Sequence, residues 1–129
     1  ESGMDQVTHV DFTSPYCCEM RDLLLSAAAN LGLAVHASGT YGATQGPRLE
    51  STAEITRLER DGCHLVGMTG MPEAALAREL EMGYAAVCVV ANRAPGKSSE
   101  PITLDLIRSN LDQGMTHALQ LLQAVIPLL

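Results

Sequence analysis

Basic residues are scarce in this chain. Only 8 Lys and Arg stand against 15 Asp and Glu among 129 residues, for a formal net charge of -7. A nucleic-acid backbone is held by clustered Lys and Arg; the basic residues here are scattered, so no nucleic-acid partner is expected. Long apolar runs are missing as well. None approaches the ~20 residues that cross a bilayer, and no membrane partner is expected. The opening residues show no basic n-region, apolar h-region and cleavage site, so nothing points to secretion and a cytoplasmic location is the expectation. The four cysteines (Cys17, Cys18, Cys63 and Cys88) form no Cys-x-x-Cys, and His9, His36, His64 and His117 stand at no metal-ligand spacing to them. Free thiols in a reducing compartment, without metal or disulfide, are the reading. No internal repeat and no second domain can be found.

What is present is a globular composition. Apolar residues make up 47% of the chain and the mean hydropathy is +0.11, enough for one domain with a real core. The chain begins at Glu1, not Met, in a polar stretch (1–8) that reads like the middle of a longer protein.

Periodicity gives the elements. Leu23, Leu24, Ala27, Ala28 and Leu31 recur at helical spacing, predicting a helix over 15–30 stopped at Gly32. Strands are expected over 33–36 and 39–44, broken by Gly46-Pro47. Ser51-Thr52-Ala53-Glu54 matches the capping box and opens a helix to about 60, ended by Asp61-Gly62. A short buried strand over 64–68 follows, then a helix with Pro72 in its first turn, running over 73–82 to Gly83. Residues 84–91 are nearly all apolar, as in a strand covered on both faces. A polar loop over 92–101 leads into a last helix over 103–126. This alternation argues an α/β layered fold, in which ligands gather at the carboxyl ends of strands. Gly46-Pro47, Met68-Thr69 and Asn92 all lie just after predicted strands.

Taken singly, these residues have ordinary readings. Glu50 is an acid near a helix start, favoured by the dipole; Leu49 is core; Asn92 starts a turn. Taken as a pair, Glu50 and Asn92 have a second reading. A 6-oxopurine offers acceptors at O6 and N7 and a donor at N1; an Asn amide can donate to the acceptors and an ionised Glu can accept from N1. Adenine reverses the pattern at positions 1 and 6. Arg48 could serve an anion, but the reading preferred for it is a surface ion pair.

The segments Gly46-Pro47-Arg48-Leu49-Glu50-Ser51-Thr52-Ala53-Glu54 and Gly67-Met68-Thr69-Gly70-Met71-Pro72-Glu73-Ala74 resemble the nucleoside-binding motifs of the purine nucleoside phosphorylase and methylthioadenosine phosphorylase family, in particular its 5'-methylthio-nucleoside branch. The resemblance covers nearly the whole chain but only the family's C-terminal half. It implies a three-layer α/β fold with a mixed central sheet flanked by helices, of which residues 1–129 form that half. It places Glu50 on the base and Asn92 on N7. Adenosine-type relatives carry Ser at the first place, and Asp at the second and again two residues on, where this chain has Ala94; the implied base is therefore a 6-oxopurine. Leu49 stands where the family usually stacks an aromatic ring. Met68 would pack under the ribose and Thr69 reach phosphate. Leu104 stands where enzymes that accept a 5'-hydroxyl carry His, with Ile107 one turn on; both suit a thioether, because an unpartnered hydroxyl against Leu costs ~1–3 kcal/mol. Residues 8–12, with His9, resemble the segment that lines a neighbouring subunit's 5' pocket, which implies a homotrimer with shared sites.

The implied reaction is phosphorolysis of S-methyl-5'-thioinosine to hypoxanthine and 5-methylthioribose 1-phosphate, a pentosyl transfer in purine salvage. It uses inorganic phosphate as co-substrate and no cofactor or metal. The family's glycine-rich phosphate loop and its Arg-His pair on phosphate belong to the half that this chain does not match. An inosine/guanosine or methylthioadenosine phosphorylase, a silent purine-binding module and a purely structural α/β domain are the alternatives.

Overall fold

The computed structural model describes residues 9–129. Helix α1 (Cys18–Asn30) begins after Cys17, whose thiol donates to the Glu19 carboxylate at 3.0 Å. It closes in a Schellman motif: Gly32, at φ 68°, donates to Ala29, and Leu33 donates to Ala28. Helix α2 (Thr52–Arg60) closes the same way around Gly62, and the expected capping box at its start is formed on both sides. Helix α3 (Gly70–Glu79) is interrupted by an extended Met71, so its continuous part starts at Pro72, as the sequence predicts. The long α4 (Leu104–Val125) is capped by the Thr103 hydroxyl and runs into a 3-10 turn, Ile126–Leu128.

Strands β1 (Tyr41–Ala43) and β2 (Leu65–Gly67) pair in parallel, Ala43 opposite Gly67, joined by α2 in a βαβ unit. The main core lies between α1 and α4, where Ala27 and Ala28 pack on Leu121 and Val125. A second apolar group, Ile55, Leu58 and Ala74, sits on the buried sides of α2 and α3.

Three expectations need correction. Residues 33–36 and 84–91 form no strand among the described residues. A strand needs a ladder partner, and the contacts of 84–91 are of another kind. The Tyr84 carbonyl accepts from Cys17 N–H at 2.8 Å, the Ala91 carbonyl accepts from Asn110 Nδ2 at 2.7 Å, and Val89 lies against Gly114 of α4. The third concerns the end of α3. Glu81, not Gly83, takes the left-handed position at φ 54°, while Met82 donates back to Ala77.

Candidate active site

The turn between β1 and α2 is where polar chemistry meets burial. Thr44 continues β1 by one residue, its N–H donating to the Gly67 carbonyl at 2.9 Å. Gly46, at φ 64°, reverses the chain, with the Gly46-Pro47 peptide cis. A Cβ at Gly46 would collide with the Met68 thioether, so the turn sits directly on Met68. The reversal brings Glu50 back beside Thr44, whose hydroxyl donates to Glu50 Oε1 at 2.6 Å. Glu50 is 8% exposed, the one buried charged side chain among the described residues.

Arg48 is engaged elsewhere. Its guanidinium forms a two-pronged pair with the Glu54 carboxylate, both bonds at 2.9 Å, and also donates to the Leu49 carbonyl. That guanidinium, aided by the Ser51 N–H, holds the Glu54 carboxyl down to about 2. The surface ion pair expected for Arg48 is therefore present. One carboxylate thus serves a helix cap and a loop clamp, tying the segment from Arg48 to Glu54 into a rigid piece. A cavity of about 350 Å³ opens here, lined by Thr44, Gly46, Glu50 and Arg57 among others.

The start of α3 lies at the other strand end. Free N–H groups at a helix start need acceptors; here the Tyr41 hydroxyl accepts from both Thr69 and Gly70 at 3.3 Å. Thr69 is exposed and its side chain makes no cap bond to its own helix.

The structure therefore gathers Glu50, Met68 and Thr69 around adjacent strand ends, with Leu49 beside Glu50 and 46% exposed. Asn92 does not line the cavity at Glu50. It lines a second hollow of about 530 Å³ with Val35, Val90, Asn110 and His117, and its Nδ2 donates to the Arg93 carbonyl at 2.8 Å. Ala94 is half-buried in the following turn, its carbonyl accepting from Lys97 N–H at 3.0 Å. That turn leans on α2: a Cβ at Gly96 would meet Thr52, and Lys97 pairs with Glu59. Leu104 is the first residue of α4 and 70% exposed, so it is not core in this chain; Ile107 is half-buried one turn on. His9 is exposed, and Thr8 of the same segment lies outside the described residues. All four cysteines are free, and no cluster of potential metal ligands occurs among the described residues. No helix there is long and apolar enough to cross a membrane.

Two partners of the site, Thr44 and Tyr41, carried no signal of their own. A six-residue separation means contact only when the chain reverses between, and Gly46-Pro47 was the available clue to Thr44.

This arrangement of paired parallel strands with a motif at each carboxyl end is that of the nucleoside phosphorylases, and the chain belongs to the Phosphorylase superfamily, whose family profile matches residues 1–127. Among curated relatives, it is 55% identical to a probable S-methyl-5'-thioinosine phosphorylase of Pseudomonas syringae pv. tomato, over 87% of this chain and 46% of the relative. It is 48% identical to the 6-oxopurine nucleoside phosphorylase of Pyrococcus furiosus, over 95% of this chain and 46% of that protein. Among solved structures, methylthioadenosine phosphorylase from Schistosoma mansoni in complex with adenine superposes with a TM-score of 0.90 at 25% identity, covering 97% of this chain and 50% of the other. The nucleoside phosphorylase fold expected from the sequence is thus present. The chain spans about half the length of the curated relatives it matches.

Proposed function

We propose that this chain forms the base- and ribose-binding half of a purine nucleoside phosphorylase acting on S-methyl-5'-thioinosine. Glu50 carries the reading: it is a buried carboxylate, held in place by a hydroxyl, at the end of a strand where a ligand can reach it. Such an acid accepts from N1–H of a 6-oxopurine and meets a lone pair on adenine. The relatives at 48–55% identity, named for 6-oxopurine nucleosides and methylthioinosine, support that choice over the adenine of the 25% identical Schistosoma structure.

In the proposed reaction a phosphate oxygen bonds to C1' as the glycosidic C–N bond breaks, and that bond's electron pair leaves with the purine. Negative charge grows on the imidazole ring, so a donor at N7 binds the transition state better than the substrate. Asn92 is the proposed donor, which requires its amide to leave the Arg93 carbonyl and turn toward the base. Glu50 fixes the base in register, Leu49 covers its face and Ala94 leaves room beside it. Met68 packs under the ribose and the Thr69 hydroxyl meets phosphate. Leu104 and Ile107 receive the methylthio group, with His9 contributed across a homotrimer. Phosphate is the co-substrate, and no cofactor or metal takes part.

The test is hypoxanthine release from S-methyl-5'-thioinosine with and without phosphate, beside inosine and methylthioadenosine, with calorimetric binding of hypoxanthine and adenine in parallel. Phosphate-dependent release confined to methylthioinosine is the expected result for a protein that carries both halves. Equal release from methylthioadenosine would overturn the role of Glu50. Faster release from inosine would favour the 6-oxopurine nucleoside reading that the Pyrococcus relative suggests. Binding of neither base would remove the reading altogether.

A further inference from the structure

A buried carboxylate that selects a ligand must be aimed, and Glu50 has one side chain to aim it. The Thr44 hydroxyl lies 2.6 Å from Glu50 Oε1, the short distance of a charge-assisted bond. Thr44 is itself fixed. Its N–H is bonded to the Gly67 carbonyl at 2.9 Å, and its hydroxyl oxygen stands 3.5 Å from that same carbonyl. A β-branched side chain on an extended backbone has little freedom at χ1, so the hydroxyl is placed by the strand and not by solvent. The hydroxyl has one proton to give. Directed to Oε1, it sets the plane of the carboxylate and leaves Oε2 to accept from a ligand.

We propose that Thr44 is a positioning residue that sets the base preference of Glu50, its hydroxyl presenting the carboxylate as an acceptor to 6-oxopurines and against 6-aminopurines. This rests on the purine-binding reading above. Removing the hydroxyl frees the carboxylate to rotate, and the preference for hypoxanthine over adenine falls through the loss of hypoxanthine affinity.

The experiment compares Thr44→Val, Thr44→Ser and Glu50→Gln in the full chain, reading dissociation constants for hypoxanthine and adenine by calorimetry, with circular dichroism to establish folding. Loss of a bond to a charged group predicts that Thr44→Val weakens hypoxanthine binding about tenfold or more while adenine changes little. Thr44→Ser, which keeps the hydroxyl, stays within about threefold of the parent, a rescue that a purely packing role would not give. Should Thr44→Val fail to fold, Thr44→Ala, which likewise has no side-chain donor, reads the same ratio. An unchanged hypoxanthine-to-adenine ratio in Thr44→Val or Thr44→Ala, with that ratio lost in Glu50→Gln, would overturn the positioning role while leaving Glu50 in place. If Glu50→Gln itself changes neither affinity, the purine reading fails and Thr44 has nothing to position.

Discussion

Ser51 and Glu54 exchange hydrogen bonds at the start of α2, and Arg48 grips the same Glu54 carboxylate. Because the Glu54 carboxyl is held below its ordinary value of 4.5, at about 2, it lends stability that is complete above pH 4.5 and is lost as the pH falls through 2. Urea midpoints of the parent and Glu54→Gln should therefore differ at neutral pH and converge in acid. A constant difference down to pH 2 would refute the linkage. Ser51→Ala should cost about 1 kcal/mol, measured by urea unfolding at pH 7. The capping box could be read in advance because its four residues are contiguous. The Thr44–Glu50 contact could not, because it depends on which way the Gly46-Pro47 turn carries the chain. The partner of the Asn92 amide was equally hidden: it donates to the neighbouring Arg93 carbonyl, a contact set by the turn that follows and not by the apolar run before it.

Among the elements, the helices followed their patterns, whereas of the four expected strands only those over 39–44 and 64–68 formed, as β1 and β2. A helix satisfies its own backbone, so spacing, caps and stops within one segment suffice. A strand is completed by another segment, which local sequence does not name, and 84–91 had every apolar mark of a strand without a ladder partner among the described residues. The same segment rests on α4 at Gly114, where an added Cβ would overlap Val89 Cγ1. Gly114→Ala should therefore destabilise the chain by about 1–3 kcal/mol despite improved helix propensity, seen as a lower urea midpoint. Glu81 gives the opposite case. A non-glycine residue in the left-handed region costs about 1–2 kcal/mol, so Glu81→Gly should raise the melting temperature. A lower melting temperature would mean that the Glu81 side chain contributes more than its backbone costs.

The chain exposes 9750 Å². A free-standing globular protein of 13.7 kDa is expected to expose roughly 6,600 Å². Folding this chain alone buries only about half of its extended surface, against roughly two thirds for compact domains of similar length. The urea m-value should be correspondingly low, about a quarter below that usual for its length. An ordinary m-value would mean that the exposed apolar side chains, such as Leu119, Leu122 and Ile126, are covered in solution.

The chain has three tyrosines and no tryptophan. Tyr84 donates its hydroxyl to the Glu73 carboxylate at 2.7 Å and stacks with Tyr16 at 6.0 Å, while the Tyr41 hydroxyl sits under the backbone of Thr69 and Gly70. A phenol bonded to a carboxylate emits weakly, so position 84 is dim when folded and brightens as the chain opens. The summed ultraviolet fluorescence of the tyrosines thus offers a native optical probe of unfolding, with no label added.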